Sequence, residues 1–245
     1  MIGSKFLKGC YRRFIAPTVH SLFFRQLIFK TGNFNAVTWL GVPVWQNVSD
    51  LWTIQEVIAR VRPALLIECG TNRGGSSLFY AHLFDLMGAG EVLTIDIEKL
   101  HNLTHPRVTC LIGSSTSDEI VETTRQKAAA CQGPVMVILD SDHSRDHVRS
   151  ELDCYAKLVT PGSYCLVQDG VIDTLPEFRA GRPGPLPAIE DFLKTHPEFE
   201  CDHELSERFL ITHHPKGWLR RKADANAEPE ASDDNSATQD SSAKF

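Results

Sequence analysis

The stretch Leu65-Leu66-Ile67-Glu68-Cys69-Gly70-Thr71-Asn72-Arg73-Gly74-Gly75-Ser76-Ser77, followed by an apolar segment from Leu78 to Met87, constrains this chain more than any other. Leu65 to Ile67 is a short apolar run of the kind found in a strand buried on both faces. The residues from Ser76 onward read as a helix with Ser76 near its cap. Gly70 permits a tight turn, while Gly74 and Gly75 lack Cβ atoms and let a ligand approach the backbone at a helix N-terminus. Downstream, Glu91-Val92-Leu93-Thr94-Ile95-Asp96 reads as a second strand that ends in an acid. In a doubly wound sheet such an acid lies beside a nucleotide crevice and can bind ribose hydroxyls.

The turn has the spacing G-x-x-x-G-G, which departs from the dinucleotide fingerprint G-x-G-x-x-G, and Glu68 sits inside it. A carboxylate there suits a cationic ligand better than a pyrophosphate, which disfavours a nicotinamide-dependent oxidoreductase. The strand-helix alternation continues. Val108 to Ile112 is a strand ending in Gly113-Ser114-Ser115, small polar residues expected beside the nucleoside base, and Ser117 to Ala130 is a helix. Val135 to Asp140 and Ser163 to Asp169 are further buried strands, with a helix over His147 to Leu158 between them. This pattern predicts an α/β fold with a parallel sheet whose site lies along one edge. Gly181 to Pro187 reads as a lid loop, and Phe199 to Asp202 with Arg208 to Thr212 as a terminal antiparallel pair.

Both Asp140 and Asp169 fall at the carboxyl ends of strands expected to be neighbours. Two carboxylates converging there repel one another unless something cationic sits between them. Hard oxygen ligands suit Mg²⁺, which can make a bound hydroxyl more acidic, and His143 is placed to take the proton. His101 and His105 have a metal-like spacing, but Asn102 and Pro106 argue for a loop.

At 245 residues with 42% hydrophobic content, the chain has room for one large core with appendages. A net charge of −6 argues against a nucleic-acid partner. Residues 1–49 carry Lys5, Lys8, Arg12, Arg13, Arg25 and Lys30 with no acid. Residues 1–37 therefore read as a basic, apolar helical extension with Leu22, Phe23, Leu27 and Ile28 on one face, suited to a homo-oligomer contact or, through residues 1–35, to a membrane surface. Residues 222–245 form an acidic tail expected to be disordered. Seven scattered cysteines without a C-x-x-C pair fit a reducing, cytoplasmic compartment, and no apolar run reaches the ~20 residues of a membrane span.

The combination of Glu68 to Ser77, Asp140-Ser141-Asp142-His143 with His147-Val148, Thr160-Pro161-Gly162-Ser163-Tyr164, and Gly184-Pro185 through Arg220 resembles the cephalosporin hydroxylase (CmcI-like) family over roughly residues 38–221. That family is similar to rhamnosyl and macrolide-sugar O-methyltransferases. The resemblance implies a Rossmann-like class I methyltransferase fold with a mostly parallel seven-stranded sheet, S-adenosylmethionine as cofactor, and a sugar, glycan or small metabolite as methyl acceptor. It implies cofactor contacts at Glu68, Gly70, Thr71, Arg73, Gly74, Gly75, Ser76, Asp96, Ser114, Ser115 and Asp140. The family's Asp-x-x-His maps to Asp140, a Mg²⁺ ligand, and His143, a base. Its Glu-Asp pair of metal ligands reads Gln168-Asp169 here, so the site loses one negative charge. The change leaves open a non-catalytic cofactor-binding subunit. A hydroxylase reading lacks a recognisable triad of two histidines and one carboxylate for iron.

Overall fold

A computed structural model describes residue 11, residues 15–31 and residues 36–223. The acidic tail beyond residue 223 and the basic positions Lys5, Lys8, Arg12 and Arg13 lie outside the described residues.

Helix α1 (Ala16–Thr31) is followed by a small hairpin of β1 (Thr38–Trp39) and β2 (Val42–Pro43). Helix α2 (Val48–Val61) starts at Asn47, whose side chain accepts the Ser49 N–H, and stops where Arg62 turns left-handed before Pro63. Then come β3 (Leu65–Cys69), α3 (Gly75–Met87), β4 (Glu91–Asp96), β5 (Val108–Ile112), α4 (Asp118–Ala130), β6 (Val135–Leu139), α5 (Arg145–Tyr155) and β7 (Tyr164–Val167). The chain closes with α6 (Pro185–Thr195), β8 (Phe199–Cys201), the short α7 (His203–Ser206) and β9 (Trp218–Arg221).

The strands form a seven-stranded sheet in the order β5-β4-β3-β6-β7-β9-β8, parallel except where β9 runs antiparallel to β7 and β8. Alternating side chains of each buried strand feed two cores. Leu65 and Ile67 face α4, α5 and α6 through Ile120, Leu152 and Phe192, whereas Leu66 faces α2 and α3 through Ile54 and Phe84. Each such buried side chain contributes about 1.5–3 kcal/mol to stability. Strand order reverses between β3 and β6, and the crevice at a reversal of this kind is where doubly wound sheets bind ligands.

Three sequence expectations change. The partner of β8 is Trp218–Arg221 and not Arg208 to Thr212. The latter segment is irregular, with Leu210 exposed at a φ of 66°. The segment around Gly181 is tied down: Arg182 donates to the carbonyls of Ile172 and Leu175, and Asp173 accepts the N–H groups of Gly184 and Leu186. On α1, Phe24 is the buried anchor, packed with Val171 and Leu175, while Leu22 and Phe23 are exposed. Arg25 fixes the same end through an ion pair of 2.7 Å with Glu177.

Candidate active site at the carboxyl ends of the strands

Beta strand β3 delivers Glu68 into the crevice wall. Its carboxylate is fully buried, with Oε2 accepting from the Ser77 hydroxyl and from Thr94 Oγ1 (2.7 Å) and Oε1 buried without a partner. Burial pushes this acid above the ordinary glutamate range, against the lowering effect of the Ser76, Ser77 and Thr94 hydroxyls. A buried carboxylate with one bare oxygen is the environment that a cationic ligand relieves.

The glycines of the turn make room mainly for the chain itself. A Cβ on Gly70 would lie 2.0 Å from the Asp140 carbonyl oxygen, and one on Gly75 would lie 2.2 Å from that of Pro43. Gly74, at a φ of 81°, is the N-cap of α3 and abuts Leu103. Thr71 is buried against Thr94 (2.7 Å), whereas Arg73 turns outward to the Leu100 carbonyl. Asp96, at the end of β4, accepts the N–H of Asn72 (2.7 Å), which brings its carboxylate beside the turn.

Ser115, after β5, is fixed on both sides. Its hydroxyl donates to Glu151 Oε1 (2.6 Å) and its carbonyl accepts from the Tyr155 hydroxyl. Ser141 Oγ donates to the same Glu151 oxygen at 2.6 Å, and His147 Nε2 lies 3.3 Å from it. Ser114 Oγ instead pairs with Thr116.

Beta strands β6 and β7 bring the second group together. His143 Nε2 lies 3.2 Å from Asp169 Oδ2 and 4.0 Å from Asp140 Oδ1, so the three residues sequence reasoning singled out form one cluster. Asp169 sits in the left-handed region (φ 55°), which an aspartate tolerates and which starts the one-turn helix Gly170–Asp173. Burial, then the charges of Asp169 and Glu68, push Asp140 well above the ordinary carboxylate range. Burial acts on Asp169 too, but the His213 imidazole and the charges of His143, His213 and His214 outweigh it and hold that acid low. The site therefore has one carboxylate held anionic by histidines and one that is costly to ionise.

Gln46, Asp50, His213 and His214 complete the surroundings, and none was singled out from sequence. Gln46 Nε2 donates to Asp140 Oδ2 (3.0 Å) and approaches the Gln168 amide at 2.8 Å. Asp50, in the first turn of α2, accepts from Thr212 Oγ1 (2.6 Å) and from the His213 N–H (2.8 Å), which holds the two histidines over Asp169. His214 Nδ1 accepts the Asp169 N–H, and burial pushes its ring below the ordinary histidine range. Gln46 ends an apolar loop, and that isolated amide is the one signal the sequence offered.

His101 and His105 do not meet. His105 joins His82 and Asp85 instead. Trp39 donates to His82 Nδ1 and the Arg107 N–H to His105 Nδ1, which leaves the proton on each Nε2, and the Arg107 side chain holds Asp85. Both rings are therefore poor metal ligands.

The chain matches the family described as Rhamnosyl O-methyltransferase/CmcI over residues 32–222. It is 32% identical over 215 residues to a rhamnosyl O-methyltransferase of Mycobacterium tuberculosis, covering 84% of this chain and 85% of that protein. A rhamnosyl O-methyltransferase of Mycobacterium leprae is 34% identical over 201 residues, covering 78% and 86%. Among solved structures, apo CmcI superposes with a TM-score of 0.60 at 19% identity, over 78% of each chain. CmcI with Mg-SAM gives the same TM-score at 18% identity and the same coverage. The fold is that of the class I methyltransferases, and the chain belongs to the rhamnosyl O-methyltransferase/CmcI family.

Proposed function

We propose that the protein transfers the methyl group of S-adenosylmethionine to a hydroxyl of a sugar or glycan, with rhamnosyl groups the first acceptors to test. The observation that carries this reading is the seating of Gly70 on the Asp140 carbonyl, because it makes the glycine turn and the Asp140-His143-Asp169 cluster two walls of one crevice. The cofactor's amino and sulfonium groups supply the positive charge that Glu68 lacks. Asp96 takes the ribose hydroxyls, Ser114 and Ser115 border the base, and Gly70, Thr71, Gly74, Gly75 and Ser76 line the methionine end. Arg73 stands at the rim.

The sulfonium methyl is already activated, so the protein's work is to align the acceptor oxygen in line with the S–CH₃ bond, exclude water and remove a proton. As the O–CH₃ bond forms and the S–CH₃ bond breaks, the hydroxyl proton passes to the His143 ring nitrogen that does not face Asp169, leaving S-adenosylhomocysteine and a methyl ether. Asp169, held anionic 3.2 Å away, stabilises the resulting imidazolium. Asp50, through His213 and His214, fixes Asp169.

The residues also fit Mg²⁺. Asp140, Asp169 and the Gln168 side chain place hard oxygen donors close together, and the Asp140–Asp169 repulsion that raises Asp140 is what a cation between them would relieve. When bound, a divalent cation would lower the pKa of the acceptor hydroxyl. Among the described residues no helix is long and apolar enough to cross a membrane.

The test is incubation with trideuteromethyl-labelled S-adenosylmethionine and a panel of rhamnosides, other deoxyhexosides and catechols, read by mass spectrometry. Label on a sugar hydroxyl, formed far more slowly in His143→Gln, supports the reading; label confined to catechols contradicts the acceptor class, and no transfer to any acceptor despite tight cofactor binding contradicts catalysis.

A further inference from the structure

The Gln168 amide faces the Asp140 carboxylate, and its two orientations mean different things. With its nitrogen toward Asp140, the amide lies 3.2 Å from Oδ1 and 3.3 Å from Oδ2 and donates to them, while its oxygen accepts from Gln46 Nε2 at 2.8 Å. Gln46 Nε2 also donates to Asp140 Oδ2, so two amide nitrogens, 2.8 Å apart, then donate to one buried carboxyl group. Turned over, the carbonyl oxygen takes the nitrogen's place and oxygen faces oxygen. That arrangement is unfavourable unless a cation, or the proton of a neutral Asp140, lies between them. Gln168 is only 2% exposed, so water does not compensate the wrong orientation.

We propose that Gln168 is a two-position amide that makes the divalent cation of this site exchangeable rather than resident. This rests on the proposed methyl-transfer site and concerns only its cation. With no cation, Gln168 and Gln46 donate to Asp140 and the crevice keeps its shape. With a cation, the Gln168 carbonyl turns toward it and joins Asp140 and Asp169 as a ligand. A glutamate at this position could do only the second: it would bring a third carboxylate that raises cation affinity and cannot donate to Asp140 when the cation leaves. Among the described residues, the His82, Asp85 and His105 group offers no competing site, because both rings carry their protons on Nε2.

The experiment is titration of the full-length protein and of Gln168→Glu with Mg²⁺ and, by electron paramagnetic resonance, Mn²⁺, each with and without S-adenosylhomocysteine. Wild type is expected to bind Mg²⁺ at least about tenfold more weakly than Gln168→Glu. EDTA should leave the wild-type melting temperature unchanged and lower that of Gln168→Glu. Equal affinities, or a wild type that melts early in EDTA, overturn the proposal. A measurement on the wild type alone guards against a variant that fails to fold. In ¹⁵N-glutamine-labelled protein, the Gln168 side-chain resonance, identified by its loss in Gln168→Met, should shift on Mg²⁺ saturation. A resonance that does not move also overturns it. Failure of S-adenosylhomocysteine to bind would refute the cofactor reading while the cation titrations still decide this one.

Discussion

Replacing Glu68 with glutamine removes one charge from a buried position and should separate cofactor affinity from stability. The carboxylate is fully buried and its Oε1 has no hydrogen-bond partner, and in the proposed complex it pairs with the cofactor's ammonium group. A hydrogen bond to a charged group contributes about 1.5–3 kcal/mol, and truncating one partner of a buried pair costs more because the other charge is left uncompensated. A loss of about 2–3 kcal/mol corresponds to affinity for S-adenosylhomocysteine weakened roughly 30- to 150-fold. Stability of the ligand-free protein should move the other way with pH. The folded-state pKa of Glu68 is raised, so the fold favours the neutral acid. The cost of ionising it begins above the unfolded value of about 4.3 and grows as pH rises toward the raised value. Glutamine never ionises. The melting temperature of Glu68→Gln minus that of wild type should therefore increase from about pH 5 to about pH 8. Calorimetric titration and melting scans at several pH values measure both quantities. A variant that binds S-adenosylhomocysteine at wild-type strength, or a melting difference that ignores pH, refutes the assignment.

Three further outcomes follow from the same geometry. Asp96→Ala removes the acceptor for the Asn72 and Glu98 N–H groups as well as the proposed ribose contact, so titration should show S-adenosylhomocysteine bound at least about tenfold more weakly. His143→Gln should lower kcat by about 10²–10⁴ while leaving the dissociation constant for S-adenosylhomocysteine within about twofold; a parallel loss of binding would make His143 a cofactor contact instead of a base. Gly70→Ala drives a Cβ to 2.0 Å from the Asp140 carbonyl at a φ of 102°, so a melting scan should show a large loss of stability, and wild-type melting would mean that β3 and β6 do not meet as described.

Much of this architecture is visible in the chain because the central strands are buried on both faces. Glu91–Asp96 has the same limits in sequence and structure, and so does the edge strand Val108–Ile112, whose Thr109 and Ile112 are exposed but whose end is marked by the Gly113-Ser114-Ser115 turn. The failure at β9 is equally physical. Phe209-Leu210-Ile211 is more apolar than Trp218-Leu219-Arg220-Arg221, yet only Trp218 and Leu219 of the latter reach the core, while Leu210 is 67% exposed. Glu68, Asp140, His143 and Asp169 were legible because each falls in or just after a strand end beside the crevice. Gln46 was not. Its partners Asp140 and Gln168 are 94 and 122 residues away, and no local period encodes such a contact. His213 and His214 reach Asp169 only because Asp50 of α2 holds their loop, again a tertiary cause. From sequence, Gly70 serves a tight turn and Gly74 and Gly75 admit a ligand; the structure adds that Gly70 and Gly75 are needed where backbone meets backbone.

The most direct test of the central claim is isothermal titration of the full-length protein with S-adenosylhomocysteine and, separately, with NAD⁺. The account predicts saturable one-to-one binding of S-adenosylhomocysteine that weakens in Glu68→Gln, with no heat from NAD⁺. Binding of NAD⁺ without S-adenosylhomocysteine, or binding of S-adenosylhomocysteine that is indifferent to Glu68, would contradict it.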